Sequence, residues 1–139
     1  MTKPRCVVDT NVLISAGLSP HGTSRRVVRW VIEHGFLLAS ASTLAEFESR
    51  FVERDKFDRY LPRSERASFV AEIRETVTPV AVTSRLSVCA DPDDDRFVEL
   101  AVDGRADCLV TGNARDFPPA HAGVPVLTPA QFARAYVQP

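Results

Sequence analysis

Five short apolar runs constrain this 139-residue chain more than any other feature. They are CVVD (Cys6–Asp9), FLLAS (Phe36–Ser40), VTPVAV (Val77–Val82), CLVT (Cys108–Thr111) and VPVL (Val124–Leu127). Each is aliphatic or branched and none alternates with polar positions, the pattern of strands covered on both faces. Pro79 and Pro125 mark their strands as short or edge-like. Helical patterns separate the runs. Ser24–His34 carries Val27, Val28, Val31 and Ile32 at helical spacing, with Gly35 as a stop. Ser42–Arg54 sets Leu44, Phe47 and Phe51 on one side. Pro62 and Ser64 open a helix through Phe69, Val70 and Ile73, and Asp91–Val102 and Pro129–Val137 complete the set. Such alternation predicts an α/β fold with a parallel sheet between helices. The length suits one domain over residues 1–139.

Composition excludes several classes. Hydrophobic residues make up 45% and charged residues 25%, as in ordinary globular domains. From the polar start no signal peptide is expected, and no run approaches the ~20 apolar residues that span a bilayer. Cys6, Cys89 and Cys108 lack paired spacing, so reduced thiols in a cytoplasmic protein are expected. His21, His34 and His121 form no metal-type spacing. The net charge of −1 argues against a generic polyanion binder, but the charges are unevenly spread. Arg50–Arg66 holds six basic and four acidic residues, whereas Asp91–Asp107 holds seven acidic and two basic ones. A cation site beside a phosphate-holding surface would look like this, and so would ordinary solvated helix faces.

Asp9 ends a buried strand, and sites in parallel sheets form beyond the carboxyl ends of strands. Asn11, Ser40, Thr111 and Asn113 lie near such ends too. In ADPDDDRFVELAVDG (Ala90–Gly104), Asp91 before Pro92 fits a helix cap, and Asp93 and Asp95 complement the helix dipole. Asp94 stands three, four and seven residues before Phe97, Val98 and Ala101, so it opens the apolar stripe and needs a cation, a donor or a wet cleft. Glu46 lies opposite Phe47 and Phe51 on a helical wheel, a solvated position that periodicity does not separate from Glu48. After the fourth run, Thr111, Asn113 and Asp116 form either a polar turn with a helix cap or part of a site.

Carboxylates meeting without Cys or His ligands suit a hard cation such as Mg²⁺ or Mn²⁺, which can promote phosphodiester hydrolysis. No G-x-S-x-G elbow, P-loop or G-x-G-x-x-G is present. An aspartyl-nucleophile phosphatase would want a second Asp where Asn11 stands.

Four blocks, VVDTNVLIS, SASTLAEFESRF, DPDDDRFVELAVDGRADCLVTGN and FPPAHAGVPVLTPAQF, resemble the PIN-domain family across nearly the whole chain. Within it they resemble the small VapC-like toxins of toxin–antitoxin systems. The resemblance implies a three-layer α/β/α sandwich with a parallel sheet of about five strands, and a Mg²⁺- or Mn²⁺-dependent ribonuclease. It puts the family's acids on Asp9, Glu46 and Asp94, with Asn11 and Thr111 close by and Asp91 assisting or merely capping. Many relatives carry Asp in a T-x-D pattern where this chain has Asn113, so Asp116 would supply the missing charge. The implied reaction is hydrolysis of an RNA phosphodiester, leaving a 5′-phosphate and a 3′-hydroxyl. Arg96, and after it Arg25 and Arg26, would position the strand. A small antitoxin would block the cleft; the resemblance is also compatible with a homodimer, though no exposed apolar stripe here demands one. The rival expectations are a PIN-like module that binds RNA or a partner but cuts weakly, and a metal-dependent phosphatase or DNA nuclease.

Overall fold

The computed structural model describes residues 2–137. A central sheet runs in the order β3-β2-β1-β4-β6-β5, built from β1 (Arg5–Val8), β2 (Phe36–Ala39), β3 (Thr78–Pro79), β4 (Cys108–Val110), β5 (Ala120–His121) and β6 (Val124–Leu127). All neighbours are parallel except β5, which turns back on β6 through Ala122 and Gly123, both at positive φ. The helices are α1 (Thr10–Leu18), α2 (Thr23–His34), α3 (Ala41–Val52), α4 (Arg63–Thr76), α5 (Asp95–Asp103) and α6 (Pro129–Phe132).

The strands alternate between two cores, and this makes the three layers. Cys6, Val8, Leu37, Cys108 and Val110 face the core built with α1–α4 and Phe132. Val7, Leu38 and Leu109 face the second, built with Phe97, Val98, Leu100 and Ala101 of α5. The α/β/α sandwich is therefore as expected, with six strands where five were anticipated. The extra one is the two-residue β5, and it covers the side of β6 that Pro125 had marked as an edge. Pro79, by contrast, does lie in a two-residue edge strand.

Two further segments differ from expectation. Helix α1 was not anticipated, because Thr10, Val12, Leu13, Ile14, Ala16 and Gly17 are all buried and only Asn11 and Ser15 are exposed, a polar stripe too narrow to set a period. The strand expected to reach Val82 ends at Pro79; the Val80 amide still donates to the Ala39 carbonyl at 2.8 Å, and the chain then leaves the sheet as a strap whose Val82, Leu86 and Val88, with Val80, pack on the second core. Three acids four residues apart on α5 hold that strap. Asp95 accepts from the amides of Val88 (3.0 Å) and Cys89 (2.9 Å), Glu99 from Leu86 (2.9 Å) and Asp103 from Thr83 (2.7 Å) and Ser84 (2.9 Å). Much of the acidic run thus satisfies backbone donors that no strand pairs.

Gly17 marks a close approach of α1 to the neighbouring helices. A Cβ there would lie 2.8 Å from the Phe51 ring and 3.0 Å from Phe69. Glycine-to-alanine normally strengthens a helix, but overpacking wins at this contact. Gly17→Ala is expected to destabilise the chain by about 1–3 kcal/mol in urea unfolding.

Candidate active site

Chain order reverses beside β1: it proceeds to β2 and β3 on one side, then returns to β4 on the other. The crevice beyond the carboxyl ends of β1 and β4 is where such a sheet places its ligands. Asp9 and Thr111 meet there. The Asp9 amide continues the ladder to the Val110 carbonyl at 3.0 Å, and its carboxylate caps α1 by accepting from the Val12 amide at 3.0 Å. The other carboxylate oxygen accepts from the Thr111 hydroxyl, which in turn accepts from the Asn113 amide at 3.0 Å. Asp9 is 4% exposed. Burial raises its carboxyl above the usual range and Glu46 adds to this, while the bonds from Thr111 and Val12, and Arg50, act in the opposite sense.

A cleft of about 440 Å³ opens beside Asp94, lined by Glu46, Arg50, Asp91, Asp93 and Arg96 among others. Asp94 is half-buried at the end of a 3₁₀ turn, Pro92–Asp94, that leads into α5. Desolvation, then the charges of Asp91, Asp9, Asp116 and Glu46, push its carboxyl up to about 6. Carboxylates from three other segments, and Asp91 from its own, therefore lie within electrostatic reach of Asp94. The wheel placed Asp94 on the buried stripe, but regular α-helix begins one residue later, and the buried acid is Asp95 at 7% exposed. Burial works against the charge of Asp95, yet the amides of Val88 and Cys89 outweigh it and hold the carboxyl below its ordinary value. Asp95 is a structural group rather than a complement to the helix dipole alone.

Glu46 is not on a solvated face. Its side chain is 11% exposed and lies between Arg50 at 3.3 Å and Arg96 at 3.1 Å. Arg50 also donates to Asn11 at 3.1 Å, and Arg96 donates to Ser42 at 3.3 Å. Arg50 was missed in the sequence, although its position four residues after Glu46 is an ordinary helical ion-pair signal. Asp91 is exposed and caps the 3₁₀ turn by accepting from the Asp93 amide at 2.9 Å. Asn113 is exposed and Asp116 half-buried in the turn after β4, and the Asp116 carbonyl accepts from the Ala90 amide at 3.0 Å. Arg25 is occupied elsewhere, donating to the Ala16 carbonyl at 2.7 Å and lying over the Phe69 ring. Arg26 is exposed on α2, and neither of these two lines the acidic cleft.

Among the described residues no three Asp, Glu, His or Cys side chains stand close enough together to hold an ion as they are. Charge and donor type nevertheless fit a hard cation. The cleft's acids supply only oxygen donors, and Asp94 carries like-charge repulsion that a cation would relieve.

Comparison with known proteins agrees with the architecture. The chain is 28% identical over 116 residues to the uncharacterized protein MJ1680 of Methanocaldococcus jannaschii, covering 80% of this chain and 72% of that one. Its fold is similar to a crystal structure of VapBC2 from Rickettsia felis bound to a DNA fragment from their promoter, at a TM-score of 0.62 and 12% identity, covering 89% of this chain and 98% of that one. A family model described as the PIN domain matches residues 5–115, most of the chain. This chain belongs to the PIN-domain family, whose members are generally nucleases.

Proposed function

We propose that the chain is a Mg²⁺- or Mn²⁺-dependent endoribonuclease acting as the toxin of a toxin–antitoxin pair. The observation that carries this reading is the cleft lined by Glu46, Asp91, Asp93 and Asp94, with Asp9 and Asp116 within electrostatic reach of Asp94, in a PIN domain. Asp9, Glu46 and Asp94 would hold the cation, with Asn113 and Asp116 joining directly or through water. Bound there, it supplies Lewis-acid chemistry for hydrolysis of a phosphodiester.

The chain's own residues prepare the cleft. Thr111 fixes the rotamer of Asp9 and is itself fixed by the Asn113 amide. Arg50 and Arg96 balance Glu46 and stand at the rim where a phosphate would approach. The neighbouring charges that push the Asp94 carboxyl up to about 6 are what a bound cation would offset, holding the carboxylate ionised. A small antitoxin partner is supported by the sequence resemblance and by the fold shared with VapBC2.

A second reading has its own observation. Glu46 is already paired with two arginines, and Asn113 brings no charge, as in a module that binds RNA or a partner and cuts weakly. A panel of labelled RNA, single-stranded DNA, flap DNA and a phosphomonoester, each with Mg²⁺, Mn²⁺ or EDTA, separates the possibilities. The proposal expects cleavage of RNA with metal and none in EDTA. Binding of RNA without cleavage would favour the module.

A further inference from the structure

A second groove, of about 270 Å³, opens between α1, the end of α3 and the segment after it. Asn11, Ile14, Ser15 and Leu18 line one part, and Arg50, Arg54, Lys56 and Phe57 the other. Arg50 and Arg54 also line the acidic cleft, so the two depressions adjoin. We infer that this groove seats the sugar–phosphate backbone of single-stranded RNA next to the bond being cut, with Arg54 and Lys56 taking phosphates. The inference rests on the ribonuclease reading and deepens it.

Charge accounting favours this occupant. The segment alternates acids and bases; Glu53 is exposed and enters no ion pair among the described residues, but the other two acids are paired with arginines that do not line the groove. Asp55 pairs with Arg63 at 3.0 Å and Asp58 with Arg66 at 2.8 Å. Arg54 and Lys56 enter no such ion pair among the described residues, and both are exposed. Lys56 instead lies over the Phe57 ring, 5.0 Å from its centre. Cations beside an apolar wall are the usual makings of a single-strand groove. Phosphate contacts of this kind position a strand without naming its sequence.

The acidic cleft alone would repel a polyanion, and a basic groove adjoining it offsets that repulsion. The segment is also built to hold its shape. Buried Arg66 of α4 reaches back to the carbonyls of Val52 (3.3 Å), Arg54 (3.4 Å) and Leu61 (2.5 Å). Arg54 and Lys56 are thus carried on an anchored loop.

The test is anisotropy titration of a short labelled unstructured RNA with the full chain in EDTA, across a series of salt concentrations, beside cleavage in Mn²⁺. The chain carrying Arg54→Gln and Lys56→Gln is expected to bind about 10- to 100-fold more weakly, with a salt slope shallower by about 1.4, or roughly 0.7 per lost phosphate contact. Arg134→Gln, an exposed charge on the C-terminal helical turn, is expected to change neither. Unaltered affinity and slope in the double variant, while the chain still cuts RNA, overturn the groove and leave the nuclease standing. Cutting without measurable binding in EDTA does the same. A loss seen only when polyglutamate replaces RNA also overturns it and assigns the groove to an acidic protein partner. Neither binding nor cutting overturns both readings together.

Discussion

Asp94→Asn is expected to lower RNA cleavage about 10³-fold and, in EDTA at pH 7.5, to raise the melting temperature. The first effect follows if the several kcal/mol that a bound cation supplies depend on this carboxylate. The second follows from repulsion. The Asp94 carboxyl rises from an ordinary 3.8 to about 6 in the fold. Between those values the folded chain binds more protons than the unfolded one, so stability falls as pH climbs from about 4 to about 6. At pH 7.5 the full penalty is present, and asparagine removes it. After allowance for solvent screening at this partly exposed site, the gain is on the order of 1 kcal/mol, or about 2–4 °C. At pH 4 the two proteins should melt together. Melting curves at pH 4 and 7.5 check this. An Asp94→Asn variant less stable at pH 7.5 would mean that the carboxylate is satisfied by groups other than a cation.

Arg66→Ala is expected to be the most destabilising single change outside the apolar core, by about 3 kcal/mol or more, with a fall of about 10 °C in melting temperature. Arg66 has no exposed side-chain surface, and its guanidinium donates to three backbone carbonyls and to Asp58. Its Nε finds no acceptor, so the stabilisation lies in the other bonds. Truncation leaves those carbonyls without a donor and opens a cavity the size of a long side chain. Asp58 is half-exposed and recovers water, which keeps the loss from being larger. Thermal unfolding at neutral pH checks the magnitude. Amide exchange in residues 53–61 should also accelerate, since that loop loses its anchor.

The strands of the sheet were legible because their burial on both faces writes continuous apolar runs into the sequence. The same logic hid α1, whose residues are buried almost all round. Two-residue strands such as β5 carry too little pattern to be seen. At the site, Asp9 was legible as a charge ending a core strand, but its company was less so. The wheel misplaced Glu46 because two arginines, one from another helix, cover a position that helical periodicity counts as solvated. It did not foresee the deeper burial of Asp95, because a 3₁₀ turn precedes α5 and shifts the phase, while Asp94 is half-buried beside the cleft. Arg66 sits four and seven residues before Val70 and Ile73, on the buried stripe of α4, a signal available in the sequence and unused. The acidic run read as a single patch divides by partner: Asp91, Asp93 and Asp94 line the cleft, while Asp95, Glu99 and Asp103 hold the strap.

The most direct test of the central claim is single-turnover cleavage of a labelled mixed-sequence RNA by the purified chain in Mn²⁺ and in EDTA, beside Asp94→Asn. Cleavage in Mn²⁺ that disappears in EDTA and falls about 10³-fold in the variant is the predicted result. Cleavage that persists in EDTA, or that Asp94→Asn leaves intact, would contradict a cation-holding role for these carboxylates.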